Sequence, residues 1–170
     1  ANVICWDASS SPSSDVLKKY PKKIKHIDEF ITKKNTNSIF NSYDGNELLI
    51  QMDIEGAEFE FIESISEENI QKIETLLIEF HWDFGHSKTE KQMVNCLEKI
   101  LKTHTCFHVH GNNDQPYREG TRMPSILECS FIRKDLSSTT EIDDSDYPII
   151  GIDAANCPRT DLKLDWWKGI

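Results

Sequence analysis

The sequence is short of glycine and of basic residues, has no closely paired cysteines and no long apolar run, and each shortage excludes something. Its seven glycines are all isolated, so it holds no G-x-G-x-x-G loop of the kind that lets backbone amides approach a phosphate. Nineteen Lys and Arg stand against 29 Asp and Glu, a formal charge of −10. Nucleic-acid affinity is largely neutralisation of phosphates by cations, so nucleic acid is not an expected partner. The uncharged apolar runs are strand-length, far below the roughly 20 residues that span a bilayer. Cys5, Cys96, Cys106, Cys129 and Cys157 are odd in number and widely spaced, without a C-x-x-C pair. They read as reduced thiols of a cytoplasmic protein rather than as a disulfide framework or zinc knuckle. No charged segment followed by an apolar core opens the chain, so no signal peptide is visible. The absence of Met at position 1 suggests a piece of a longer polypeptide.

What is present suits one folded domain. A hydrophobic fraction of 38% with 28% charged residues in 170 is too apolar for a disordered polyanion, and a chain of this size buries about 68–70% of its unfolded surface. Strands are expected at Asn2–Asp7, Lys25–Ile31, Leu48–Ile54, Thr75–Trp82, Cys106–His110 and Ser125–Arg133, on β-branched and aromatic content between turn residues. Leu48–Ile54 follows an Asp44-Gly45 turn and reads as covered on both faces. A short polar helix is expected around Asp15–Tyr20. A second follows Gly56, where Phe59, Ile62 and Ile65 take helical spacing. A third opens with the capping box Ser87-Lys88-Thr89-Glu90 and carries the stripe Met93, Val94, Leu97, Ile100 and Leu101. Strand–helix alternation predicts an α/β domain over residues 1–136, its sheet mostly parallel with an antiparallel last strand. An extended tail over 137–170 would pack on it, docked by Trp166 and Trp167.

Ligands of open α/β sheets bind beyond the carboxyl ends of the strands, and those ends are polar here. They are Asp7, then Asp53-Ile54-Glu55-Gly56, then Glu79-Phe80-His81, then His108-Val109-His110-Gly111-Asn112-Asn113. Parallel neighbours would gather these carboxylates, imidazoles and amides on one rim. Each has a plainer reading: Glu55 and Glu58 suit a helix N-terminus, one of His108 and His110 suits a structural hydrogen bond, and Asn112-Asn113 suits a turn. His26, His86 and His104 are given no role, and Asp143-Asp144-Ser145-Asp146 reads as a solvated link.

The segments LLIQMDIEGAE (Leu48–Glu58), IEFH (Ile78–His81), HVHGNN (His108–Asn113), PSILECSFIRKD (Pro124–Asp135) and IDAANCPRTDLKLD (Ile152–Asp165), in that order, resemble the FkbM-type S-adenosylmethionine-dependent methyltransferases. The resemblance implies a Rossmann-like class I methyltransferase fold with helices on both faces of the sheet, lacking here its N-terminal glycine-rich cofactor loop. It implies methyl transfer to a hydroxyl, commonly of a sugar or natural product. Asp7 would then hold the ribose hydroxyls of S-adenosylmethionine, and Met52 and Asp53 would lie at its methionine end. The glycine-rich loop should precede Asp7, so it is expected upstream in a longer polypeptide.

Within that reading His81 is the expected base, oriented by Asp53 across neighbouring strands. Glu55, His110, Asn112 and Asn113 would hold the acceptor, and Trp82 would either stack on a sugar face or lie in the core. Alternatively, Asp53, Glu79 and His81 would ligate a divalent cation, Mn²⁺ or Mg²⁺, that lowers the acceptor's pKa. Two other classes stay open: a non-catalytic carbohydrate-binding or scaffolding module, indifferent to His81→Ala, and a metal-dependent hydrolase, silenced by chelator.

Overall fold

A computed structural model describes residues 2–43, 45, 47–82, 87–117, 123–138 and 146–165, with side chains omitted at 42 and 87–89. Asp44 of the expected turn, the side chains of Ser87, Lys88 and Thr89 in the capping box, His86, Gly120, Asp143–Ser145 and the Trp166-Trp167 pair lie outside what is described. The order is β1 (Val3–Trp6), α1 (Ser14–Lys19), β2 (Ile24–Ile27), β3 (Leu48–Met52), α2 (Glu58–Ser64), α3 (Glu67–Ile70), β4 (Ile73–His81), α4 (Ser87–Leu101), β5 (His104–Gly111) and β6 (Ile126–Arg133). Every expected strand is present, with ends moved by a few residues.

β1 and β2 form a parallel pair of their own, and the other four strands form a sheet in the order β3-β4-β6-β5. β3 runs parallel to β4, whereas β6 is antiparallel to both of its neighbours. β3, β4 and β5 therefore point the same way, and the last strand is slotted between β4 and β5. This is the mixed α/β sheet anticipated from the alternation, and it brings the carboxyl ends of β3, β4 and β5 to one rim.

One face of this sheet is the core. Leu76, Ile78 and Phe80 of β4 lie beside Phe131, Cys129 and Leu127 of β6, all buried. Against them pack Phe59 and Ile62 of α2 and Cys96 and Ile100 of α4, with the Phe59 and Phe80 rings stacked 5.5 Å apart. The two helices contact each other through this layer, and the Cys96 thiol donates to Phe59 O. Burial of such side chains is worth about 1.5–3 kcal/mol each. Along α4 Cys96 and Ile100 are buried with Met93 and Leu97 partly buried beside them, while Val94 and Leu101 at the margin of the expected stripe are exposed.

Helices were expected on both faces. Among the described residues α2 and α4 take one face, and the opposite face carries the extended segment 146–165, tied down by His108–Asp153 and His110–Asp161 contacts. Leu48–Ile54 also departs from its expected cover, since Leu49 is 60% exposed and Gln51 is exposed. Among the described residues β3 pairs with β4 alone and stands at the edge of the sheet. All five cysteines are free, and Cys96 is pushed up to about 12 chiefly by burial. No helix among the described residues is long and apolar enough to cross a membrane.

Candidate active site at the strand ends

The site is built on two successive strand-to-helix transitions. β3 ends at Met52, and Asp53 is the first residue past it. The Ile54–Ala57 turn closes with Ala57 N–H donating to Ile54 O at 3.3 Å, and its central residues Glu55 and Gly56 have φ of 55° and 98°. Two positive φ values in succession belong to a type I′ turn, which glycine adopts freely and glutamate seldom does. The reversal throws the Glu55 side chain outward, 85% exposed. α2 then begins at Glu58, whose carboxylate accepts from Ile54 N at 3.1 Å and Gly56 N at 3.0 Å.

On β4 the residues alternate, so Phe80 enters the core while Glu79 and His81 face the other way, half-buried. His81 Nε2 stands 4.0 Å from Asp53 Oδ1 and 3.6 Å from Glu55 Oε2, and its Nδ1 stands 3.2 Å from Glu58 Oε1. Asp53, Glu79 and His81 each bring one donor atom within 4.8 Å of the others. Glu79 accepts from Asn112 Nδ2 at 2.6 Å. Its carboxyl is held above the ordinary value by burial, with the Asn112 amide pulling it down and the Asp53 charge pushing it up. The rim expected from the strand ends therefore gathers Asp53, Glu55, Glu79, His81 and Asn112. Rim residues of this type offer a carboxylate–imidazole pair for proton transfer, or oxygen and nitrogen ligands for a divalent cation.

The remaining residues are employed differently from what was expected. His110 is buried with both ring nitrogens engaged: Nδ1 meets Glu128 at 3.0 Å and Nε2 meets Asp161 at 3.1 Å. Its pKa is raised to about 9, first by the Glu128 hydrogen bond, against desolvation, with Asp161 adding to the rise. Asn113 is buried too, with Nδ2 donating to Cys157 O and Arg159 O and Oδ1 accepting from Cys157 N. Both therefore strap the tail to β5 instead of facing an acceptor. Trp82 is 8% exposed and packs with Phe59 and Phe80, so it belongs to the core and not to a sugar platform. Met52, 6% exposed, is likewise a core side chain.

Asp7 closes β1 as expected. Its Oδ1 accepts from Ser9 N, Ser9 Oγ and Ser10 N at 2.7, 2.7 and 3.0 Å, and its Oδ2 accepts from Ser10 Oγ. Those bonds, the Ser10 hydroxyl foremost, hold its carboxyl below the ordinary carboxylate range. The contacts that sequence reasoning missed are the approach of Glu58 to His81 and those of Glu128, Asp153 and Asp161 to the β5 histidines. Glu58 had a signal, since a carboxylate in the first turn behind an acidic strand end reaches back to that turn. The other three meet their histidines only through tertiary pairing.

A family model described as the methyltransferase FkbM domain matches residues 4–123. The chain belongs to the FkbM methyltransferase family. The match runs from β1 to the loop before β6, so it takes in Asp7, the Asp53–Glu58 turn, Glu79, His81 and the β5 histidines of this family member. No curated protein and no solved structure matches the chain.

Proposed function

We propose that this FkbM methyltransferase moves a methyl group from S-adenosylmethionine to a hydroxyl of a sugar or similar polyol. The observation that carries this reading is the meeting of Asp53, Glu79 and His81 beyond the carboxyl ends of β3 and β4, where open α/β sheets bind their ligands. S-adenosylmethionine, when bound, supplies an electrophilic methyl on a sulfonium. The chain's residues fit that cofactor at two points. Asp7 is ionised at neutral pH and keeps a lone-pair site on Oδ2, which suits a ribose hydroxyl. Asp53, half-exposed just past the end of β3, offers a carboxylate that suits the methionine ammonium.

The acceptor hydroxyl must be aligned and must lose its proton as the new bond forms. His81 Nε2 takes that proton, and Asp53 at 4.0 Å stabilises the imidazolium. Asn112 and Glu79 form the adjoining wall and offer a donor and an acceptor to neighbouring hydroxyls of a polyol. Glu55, exposed beside His81, lies where it meets the outer part of an acceptor. The five free cysteines suit a reducing, cytoplasmic setting.

The gathering of the Asp53, Glu79 and His81 donor atoms within 4.8 Å of one another favours a second version, in which these three residues hold a divalent cation. Bound there, the ion would polarise the acceptor oxygen in place of an imidazole base, and the mixed carboxylate–imidazole set suits Mn²⁺ better than Ca²⁺.

The deciding experiment uses the full-length polypeptide with methyl-labelled S-adenosylmethionine and a panel of sugars and polyols. Label reaching a hydroxyl in the parent and vanishing in His81→Gln supports the proposal. Absence of S-adenosylmethionine binding by calorimetry sinks it.

A further inference from the structure

We propose that Glu58 is a positioning residue, one that fixes which nitrogen His81 presents to the site and holds the Asp53–Gly56 turn in place. Glu58 is 0% exposed, and a carboxylate is costly to bury without donors. Its Oε1 gathers three contacts, from Ile54 N at 3.1 Å, Gly56 N at 3.0 Å and His81 Nδ1 at 3.2 Å. Two of these fasten the turn that carries Asp53 and Glu55, and the third fastens the ring those residues face. One oxygen thereby joins α2, the β3 exit and the end of β4.

The consequence for His81 is chemical. A carboxylate accepts and does not donate, so the nitrogen facing Glu58 is the one that bears hydrogen, and the other is set by that choice. Nδ1 is the nitrogen within hydrogen-bond distance of a carboxylate, whereas Nε2 stands off from Asp53 at 4.0 Å and Glu55 at 3.6 Å, so with Nδ1–H given to Glu58 the Nε2 lone pair is the free one. That is the nitrogen that a base, or a ligand to a cation, must present. Glu58 Oε2 is buried and has no partner among the described residues. A carboxylate serving only to cap α2 would be better placed half in water, and this one is withdrawn fully behind the ring.

The inference rests on the methyltransferase reading for its meaning, and its test is arranged so that the two fail separately. Nitrogen-15 NMR of His81 reports the tautomer directly, in the full-length polypeptide, without any turnover. The Nδ1–H form in the parent, lost or mixed in Glu58→Gln, is the expected result. It stands whether or not a methyl acceptor is found. Methyl transfer by Glu58→Gln is expected to fall about ten- to a hundredfold in kcat with KM for S-adenosylmethionine unchanged, the scale on which removal of a carboxylate behind a working histidine is felt. A parent His81 in the Nε2–H form overturns the assignment, as does a Glu58→Gln variant that keeps both the tautomer and kcat. The parent spectrum alone decides the matter if the variant does not fold.

Discussion

His81 Nε2 and Asp53 Oδ1 lie 4.0 Å apart although the two residues close different strands. The parallel pairing of β3 with β4 is what does this. Met52 is opposite Ile78 in the register, so Asp53 leaves β3 abreast of Glu79 while β4 runs on to His81 just beyond it. Asp53 is half-exposed, and its carboxylate faces the ring. Asp53→Ala should therefore reduce methyl transfer by about 10²–10⁴ while shifting stability by no more than about 0.5 kcal/mol. His81→Gln should match the loss of rate. A side-by-side reading of label transfer and urea midpoint checks both, and an unimpaired rate in Asp53→Ala would remove the pair from the mechanism.

Cation binding makes a separable prediction. If Asp53, Glu79 and His81 hold Mn²⁺, adding it should raise the thermal midpoint in proportion to the logarithm of its concentration, and Glu79→Gln should abolish the rise. Chelator should then suppress methyl transfer and Mn²⁺ restore it. A flat midpoint together with full activity in chelator leaves His81 as the base.

The strap that holds the tail is pH-sensitive at both ends. His110 has its pKa raised to about 9, so its contribution to stability is complete below about 6.5, the ordinary histidine value, and disappears as pH climbs through about 9. The raised value corresponds to a contribution of order 3 kcal/mol. Glu128 is held below its ordinary value, chiefly by the His110 hydrogen bond, so its share is present above about 4.5 and fades as pH falls. Protease cutting within 146–165 should accordingly be slowest between about pH 5 and 6.5 and quicken toward pH 9. Asp161→Asn removes one of the two carboxylates on His110 and should bring the alkaline release to lower pH. Cutting that is indifferent to pH would show that the His110 and Glu128 contacts are not what holds the tail.

Trp82 is a core side chain. Its ring is 5.3 Å from Phe80 and 6.3 Å from Phe59, so Trp82→Ala should cost about 3–5 kcal/mol in denaturant unfolding. Trp82→Phe should leave KM for the acceptor unaltered. A raised KM with unchanged stability would return Trp82 to the sugar face.

The elements were legible because they rest on local signals. LLIQM and IETLLIEFH have the β-branched and apolar content of strands, and EFEFIES the spacing of a helix. Polar strand ends are equally local, which is why Asp53, Glu79 and His81 could be singled out before any pairing was known. What these letters could not express is the partner of each side chain. His108-Val109-His110-Gly111-Asn112-Asn113 reads as one polar run, yet Asn112 turns to Glu79 in the site while His110 and Asn113 turn to the tail.

The sequence by itself determined an α/β chain with acidic and imidazole groups at its strand ends, because periodicity and composition act over a few neighbouring residues. The tertiary structure decided that β6 enters between β4 and β5, that the tail spends His110 and Asn113 on its own anchoring, and that Glu58 sits behind His81. Such contacts join residues dozens of positions apart, and only the packed sheet brings them within hydrogen-bond reach.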